Sequence, residues 1–236
     1  MDLTDSHLKC FPESTRERYE FYETRNASAI LSATNPVRFQ EIIEVLNGFA
    51  LWTSDLVVPG GNETKLAGRL NAAFRRLGWR EARVDQIIKL SLVKQPHRPA
   101  GETSAQVVDT EVESMGYKVD NFVDRIALDV EWNAKDGNLD RDLAAYRSLY
   151  DAGLIDGAVM ITRTSDDLRK LATQLGQDAG LTFEKSKRIL ASTTTTNTGK
   201  LIPKLVRGDS GGCPILVIAI CAGTWEADSS NGASHS

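Results

Sequence analysis

The chain has 236 residues, 41% apolar and 25% charged, which is close to the globular average and excludes a disordered, collagen-like or coiled-coil protein. Its net charge of −4 does not mark a nucleic-acid binder as a whole, and its longest apolar run, residues 214–223, is half the ~20 residues a membrane helix needs. With a polar N-terminus unlike a secretory signal, and with Cys10, Cys213 and Cys221 scattered without a CxxC or a nearby His, the chain reads as soluble and cytoplasmic, without disulfide framework or zinc site.

The length suits one sizeable domain over residues 1–225, with a frayed polar tail at 226–236. In chain order, residues 14–27 read as a helix with Ser14 as a cap candidate. A second helix starts at Asn35-Pro36, with Val37, Ile42, Val45, Leu46 and Phe49 at helical spacing. After a turn-rich loop at 57–64, Leu66, Leu70, Ala73, Phe74 and Leu77 share one face of a third helix that Gly78 ends. The period then drops to two. Residues 82–93 read as a half-buried strand, 95–105 as a loop, and 107–122 and 125–133 as two strands joined by a hairpin at 123–125. A helix capped by Asn138 and stopped by Gly153 leads to an apolar strand at 154–163, so 125–163 forms a βαβ crossover. A short helix follows, then a polar loop from Ala191 to Cys213, then a last buried strand at 214–220. Together these elements predict an α/β fold: a mixed sheet of five or six strands flanked by helices, with a helical N-terminal region.

Charge is unevenly spread. Residues 120–142 hold seven acids against three bases, and residues 184–208 hold six bases against one acid. That asymmetry suits a site holding cations beside a polyanion, and it equally suits ordinary solvated surface. Within the acidic stretch, Asp129 and Glu131 leave the same face of strand 125–133, and the hairpin brings Asp120 to the same end of the sheet. Such carboxylates repel unless a cation neutralises them. Mg²⁺, an oxygen-seeking ion that keeps several waters, fits two or three of them and would serve phosphodiester hydrolysis. The spacing alone also fits the solvent face of an edge strand, although the apolar elements on either side in sequence favour a central one. Lys135, four residues beyond Glu131, either steadies a phosphate oxygen or sits on the surface.

The run from Val119 to Arg163, with WNAKDG, then DRDL, then an apolar strand ending in TR, resembles the BglII/BstYI-type restriction endonucleases, a branch of the PD-(D/E)XK nuclease superfamily. The run from Thr193 to Ile220 is similar to the C-terminal block of the same family. The resemblance implies an α/β nuclease core, Mg²⁺ dependence, and a homodimer that cuts double-stranded DNA at a short palindrome. It places Asp120 at the first catalytic Asp and Asp129 at the acid of the next strand. Glu131 falls where the superfamily has Lys and this branch tends to have Gln or Glu, which favours a mechanism that leans more on metal. All three are expected to be catalytic and metal-binding. Asn62 and Glu63, opening a helix, are candidates for a further contribution to the site.

For DNA contacts, the residue types single out Lys135, Thr164, Ser165, Lys200 and Lys204 for phosphate. Asn197 is a candidate reader of an adenine edge. Arg163 would either contact guanine or close a buried ion pair. The string GDSGG at 208–212 matches the surroundings of a serine-protease nucleophile, but His7, His97 and His235 lack the setting of a base, and a glycine turn into the last strand is the simpler reading. The ASTTTTNTGK stretch lacks the second glycine and the hydroxyl of a phosphate-binding loop. The expected activity is type II restriction cleavage. The alternatives are a repair or nonspecific nuclease on the same core, and a non-catalytic DNA-binding protein.

Overall fold

The structure, a computed structural model, describes residues 1–57, 65–132 and 134–227, with the backbone alone at Ser114 and Met115. In chain order the elements are β1 (Leu3–Thr4), α1 (His7–Cys10), α2 (Glu13–Arg16), β2 (Tyr19–Thr24), α3 (Ala27–Thr34), α4 (Pro36–Gly48), β3 (Leu51–Trp52), α5 (Thr53–Val57), α6 (Lys65–Arg76), β4 (Arg80–Lys94), β5 (Gln106–Val123), β6 (Ile126–Val130), α7 (Gly137–Asp151), β7 (Gly157–Arg163), α8 (Asp166–Asp178), α9 (Phe183–Ser186), α10 (Thr198–Arg207), β8 (Ile215–Ile220) and β9 (Trp225–Glu226). The turn-rich loop expected at 57–64, with Asn62 and Glu63, lies almost wholly outside the described residues. No helix among the described residues is long and apolar enough to cross a membrane.

Three runs buried on both faces make the centre of the fold. β6, β7 and β8 are buried at every position, as strands covered on both faces must be. β6 and β7 pair in parallel, and so do β7 and β8, so α7 is the crossover of a βαβ unit, as the sequence suggested. The hydrogen-bonded order is β1-β2-β8-β7-β6-β5-β4. These seven strands exceed the expected five or six because residues 19–24, expected to be helical, form β2. This segment, Tyr-Glu-Phe-Tyr-Glu-Thr, is rich in strand formers, and it pairs antiparallel with β8 from Tyr19↔Ile220 to Glu23↔Leu216. Without it, the outer edge of a fully buried strand would keep unpaired backbone groups. β3 and β9 form a separate parallel pair, so residue 226, placed in the tail by the sequence, is ordered and accepts an ion pair from Arg18 at 2.9 Å.

On one face of the sheet, Ile126, Leu128, Val130 and Trp132 join Ile42, Leu46, Leu66, Leu70, Phe74 and Leu168 in the main core. Val37, expected on the apolar face of α4, is instead 67% exposed. α4 begins with Pro36 in its first turn, yet Asn35 does not cap it; its amide donates to Thr34 and to Asp156. Nor does Asn138 cap α7, which starts one residue earlier, after Asp136. Gly78 and Gly153 do end α6 and α7, in left-handed conformations open to glycine (φ +97° and +71°).

The stretch from Thr198 to Arg207, expected as loop, is helix α10. Leu201 and Leu205, four apart, are both fully buried, which outweighs the weak helix propensity of its Thr, Gly and Pro residues. Gly208, at φ +90°, closes it. The glycine turn read in GDSGG is present, and the Ser210 side chain is fully buried within it, a setting closed to a nucleophile. Cys10, Cys213 and Cys221 are free thiols.

By its internal contacts the chain divides into two units, residues 1–81 with 119 onward, and Ala82–Lys118. The second is a ribbon of β4 and the first part of β5. Its cross-strand contacts, Lys89–Glu111, Ser91–Asp109 and Asp85 with the Gly116 amide, mark an antiparallel register. Gly116 is required there, because a Cβ would lie 2.3 Å from the Val84 carbonyl oxygen. The strand at 82–93 was expected to be half-buried, but Ile88, Leu90 and Leu92 are each about half exposed or more, as are Val108 and Val112 opposite them. The alternation is real, while the cover that alternation usually signals is not supplied by the described residues.

Glu23 shows how the N-terminal region is fastened. It is fully buried, and its two oxygens accept the Ser28 amide (2.8 Å) at the start of α3 and the His7 amide (3.3 Å) at the start of α1. One carboxylate thus satisfies donors at two helix starts. Burial alone would raise its pKa, but the hydrogen bonds from His7 and Ser28 outweigh burial and lower it to about 2. A depressed carboxylate stabilises the fold above its unfolded pKa, and that contribution disappears as pH falls towards the folded value. Glu23→Gln should therefore lower the melting temperature at pH 7, by a stability loss on the order of 3 kcal/mol. In thermal melts across pH, the gap to wild type should close between about pH 4.5 and 2.

Candidate active site

The site is built where β5, β6 and α7 meet. β5 and β6 form the expected hairpin, in register from Asn121↔Leu128 to Val123↔Ile126. Asp124, at φ +47°, sits in its turn, where Asp tolerates the left-handed conformation better than most residues. β6 is paired on both edges, to β5 and β7, so Asp129 and Glu131 are not on an edge strand. Both are buried, at 5% and 7% exposure. Glu131 follows β6 directly and is held there from three sides: its amide donates to the Ile161 carbonyl (2.8 Å), and its carbonyl accepts the hydroxyls of Thr162 (2.9 Å) and Thr196 (3.0 Å).

Asp120 and Asp129 interlock across the hairpin. The Asp120 amide donates to Asp129 Oδ1 (2.7 Å), and Asp120 Oδ2 accepts the Val130 amide (3.3 Å). On the other side, α7 delivers two residues that the sequence reading did not select. The Tyr146 hydroxyl, on a fully buried ring, donates to Asp129 Oδ2 at 2.5 Å. Asp142, one turn earlier, is close enough to Glu131 to raise its pKa. Its Oδ1 accepts both Nε (3.0 Å) and Nη2 (2.9 Å) of Arg141. The signal for both was available: Leu139, Leu143 and Tyr146 mark the inward face of α7, and Asp142 lies one residue from Leu143 and four from Tyr146.

Burial raises the Asp129 pKa to about 7, against the hydrogen bonds from Tyr146 and Asp120. Glu131 and Asp142 are also raised, by burial first; for Glu131 the neighbouring Asp142 adds to this. Glu131 Oε2 and Asp142 Oδ2 are buried without a hydrogen-bond donor. Among the described residues no three acidic, His or Cys side chains close into a ready-made cation cage. Asp120, Asp129 and Glu131 are therefore brought to one place without being a closed ligand set. An all-oxygen donor set with an orphaned buried carboxylate oxygen fits Mg²⁺, which binds one or two carboxylates and completes its shell with water and substrate phosphate.

The residues expected to touch DNA divide. Lys135 is exposed and Ser165 half-buried, beyond the C-terminal ends of β6 and β7. Arg163 is 1% exposed and acts as an internal strut. Its Nε donates to the Trp132 carbonyl and its Nη2 to the Thr195 hydroxyl, so it neither faces a groove nor forms the buried ion pair considered for it. Thr164 is buried too, with its hydroxyl on the Ile220 carbonyl. Asn197 precedes α10, 8% exposed, and donates to the Thr195 carbonyl. Lys200 pairs with Asp136 at 2.9 Å, and Lys204 pairs with Asp140. Part of the charge asymmetry in the sequence is thus consumed by internal ion pairs between α10 and the region where α7 begins.

The sheet is mixed with parallel centre strands, its β5–β6 hairpin carries interlocked acids, and a family match places the chain in the restriction-endonuclease class. The family model described as "Restriction endonuclease BglII/BglIII" matches residues 19–220, and the chain belongs to that family. It is a type II restriction endonuclease, a site-specific deoxyribonuclease that cleaves DNA. Enzymes of this family are typically metal-dependent. No curated protein matches the chain.

The raised pKa of Asp129 has a consequence for stability. The folded state holds a proton on Asp129 that the unfolded state releases near pH 4, so stability falls as pH rises from about 4 through 7. Asp129→Asn should therefore stabilise the metal-free protein at pH 8, by on the order of 4 kcal/mol. Melting curves in EDTA should show the gain shrinking below about pH 7 and vanishing near pH 4.

Proposed function

We propose that the enzyme is a cytoplasmic, Mg²⁺-dependent homodimer that hydrolyses duplex DNA at a short palindrome, with Asp120, Asp129 and Glu131 as its catalytic, metal-holding residues. The observation that carries this reading is the placement of Asp129 and Glu131, buried on one face of a central strand, with Asp120 interlocked beside them. Buried acids at this density cost several kcal/mol unless compensated, and a hydrolytic metal site gives a reason to keep them. When bound, Mg²⁺ supplies a polarised water and positive charge against the phosphate.

The chain's own residues do the rest. Tyr146 and the Asp120 amide fix the Asp129 carboxylate in one orientation. The hydroxyls of Thr162 and Thr196 hold the backbone at Glu131. Glu131, lacking the charge of a lysine, acts as a ligand or proton acceptor. Lys135 and Ser165 are the better-placed candidates for phosphate contacts. Lys200, Lys204 and Asn197 would first have to exchange their internal partners. A palindrome is two-fold symmetric, and two identical sites related by the same symmetry would cut its two strands.

Digestion of phage DNA with Mg²⁺ should give discrete fragments, whereas a smear would indicate a nonspecific nuclease and binding without cleavage a DNA-binding protein. Asp120→Asn and Asp129→Asn should each reduce single-turnover cleavage by on the order of 10³-fold while retaining DNA binding in a gel-shift assay. Glu131→Gln should keep measurable activity and Glu131→Ala should lose it. Lys135→Ala should weaken binding to cognate and random DNA alike and flatten the salt dependence by about one unit of slope.

A further inference from the structure

Four acids, Asp120, Asp129, Glu131 and Asp142, meet where β5, β6 and α7 come together, and Asp142 has no part in the function described above. It is 3% exposed, and Glu131 opposite it is 7% exposed. Each acts on the other's carboxyl, yet among the described residues Glu131 Oε2 and Asp142 Oδ2 have no donor. Two carboxylates that act on each other repel unless a proton or a cation lies between them.

The surroundings favour the cation. Arg141 forks onto Asp142 Oδ1 through two nitrogens, which works against the rise that burial imposes on the Asp142 pKa and fixes its rotamer. Asp142 Oδ2 takes no donor from the guanidinium. The two hydroxyls on the Glu131 carbonyl hold that side of the pair. The donor atoms are all carboxylate oxygens, the preference of a hard divalent cation. We infer that Asp142 is a metal ligand of this enzyme, and that Glu131 and Asp142 together hold a divalent cation between β6 and α7. The inference rests on the reading of Glu131 as a metal-site residue and adds α7 as a second element that supplies a ligand.

Binding of Mn²⁺ to the full-length protein without DNA, followed by the loss of the free-ion electron paramagnetic resonance signal, tests this apart from cleavage. Wild type should bind saturably. Asp142→Asn should weaken binding tenfold or more, while its melting temperature in EDTA equals or exceeds that of wild type, because the new amide can donate to Glu131. Asp142→Glu, which keeps the charge one methylene further out, should fall between the two and stands in if Asp142→Asn does not fold. Wild-type Mn²⁺ affinity in Asp142→Asn would overturn the inference and leave Asp142 as a proton-sharing partner. So would the absence of saturable binding to wild type. Asp129→Asn separates the two readings: wild-type cleavage in that variant removes the proposed site itself, whereas its loss beside an unaffected Asp142→Asn removes only the role of Asp142.

Discussion

Asp129 and Glu131 sit on a segment hydrogen-bonded along both edges and covered on its acidic face by α7, and much of the molecule follows from that burial. A carboxylate taken out of water needs donors, counter-charge or a proton. The donors include a tyrosine hydroxyl and a backbone amide to Asp129, a backbone amide to Asp120, and an arginine fork to Asp142. Burial raises the pKa values of Asp129, Glu131 and Asp142, and among the described residues one oxygen each on Glu131 and Asp142 has no donor. Structural acids are usually satisfied when buried. Here the unsatisfied acid oxygens lie at the site proposed above to hold the cation.

Glu23 is the contrasting case in the same chain. It is equally buried, but both of its oxygens meet amides at helix starts, and its pKa falls to about 2. Both carboxylates are buried and both accept donors; at Asp129 burial, with the neighbouring charges of Asp120 and Asp142, outweighs them, whereas at Glu23 the hydrogen bonds from His7, Ser28 and Ser6 outweigh burial. Glu23 fastens α1 and α3 to β2, and the acids at the end of β6 are left with raised pKa values.

Charge elsewhere is spent internally more than the sequence implied. Lys200 and Lys204 lie on α10 against Asp136 and Asp140, and Arg163 lies in the interior against carbonyls and a hydroxyl. A basic segment next to an acidic one in sequence looks like a polyanion site beside a metal site. In the folded chain a good part of it is ion pairing that docks one helix against the start of another, which is consistent with a net charge of −4 in a DNA-cleaving enzyme.

The sequence by itself determined the centre of the fold and the identity of its acids. Continuous apolar runs at 157–163 and 215–220, and a period-two run at 126–130, can only be satisfied as buried strands, and the hairpin and crossover between them follow from chain length and turn residues. That was enough to place Asp120, Asp129 and Glu131 at one end of the sheet. The tertiary structure alone decided the rest, wherever a segment's local preference is weak and its partner is distant. Residues 19–24 become a strand because β8 has an edge to fill, nearly two hundred residues away. Residues 198–207 become a helix because Leu201 and Leu205 have a core to enter. Asp142 and Tyr146 stand beside the acids because α7 turns that face towards β6; spacing marks the face, and packing decides what it meets. The apolar face of the β4–β5 ribbon, legible as alternation, stays exposed because periodicity specifies which side chains share a face and not whether anything covers them.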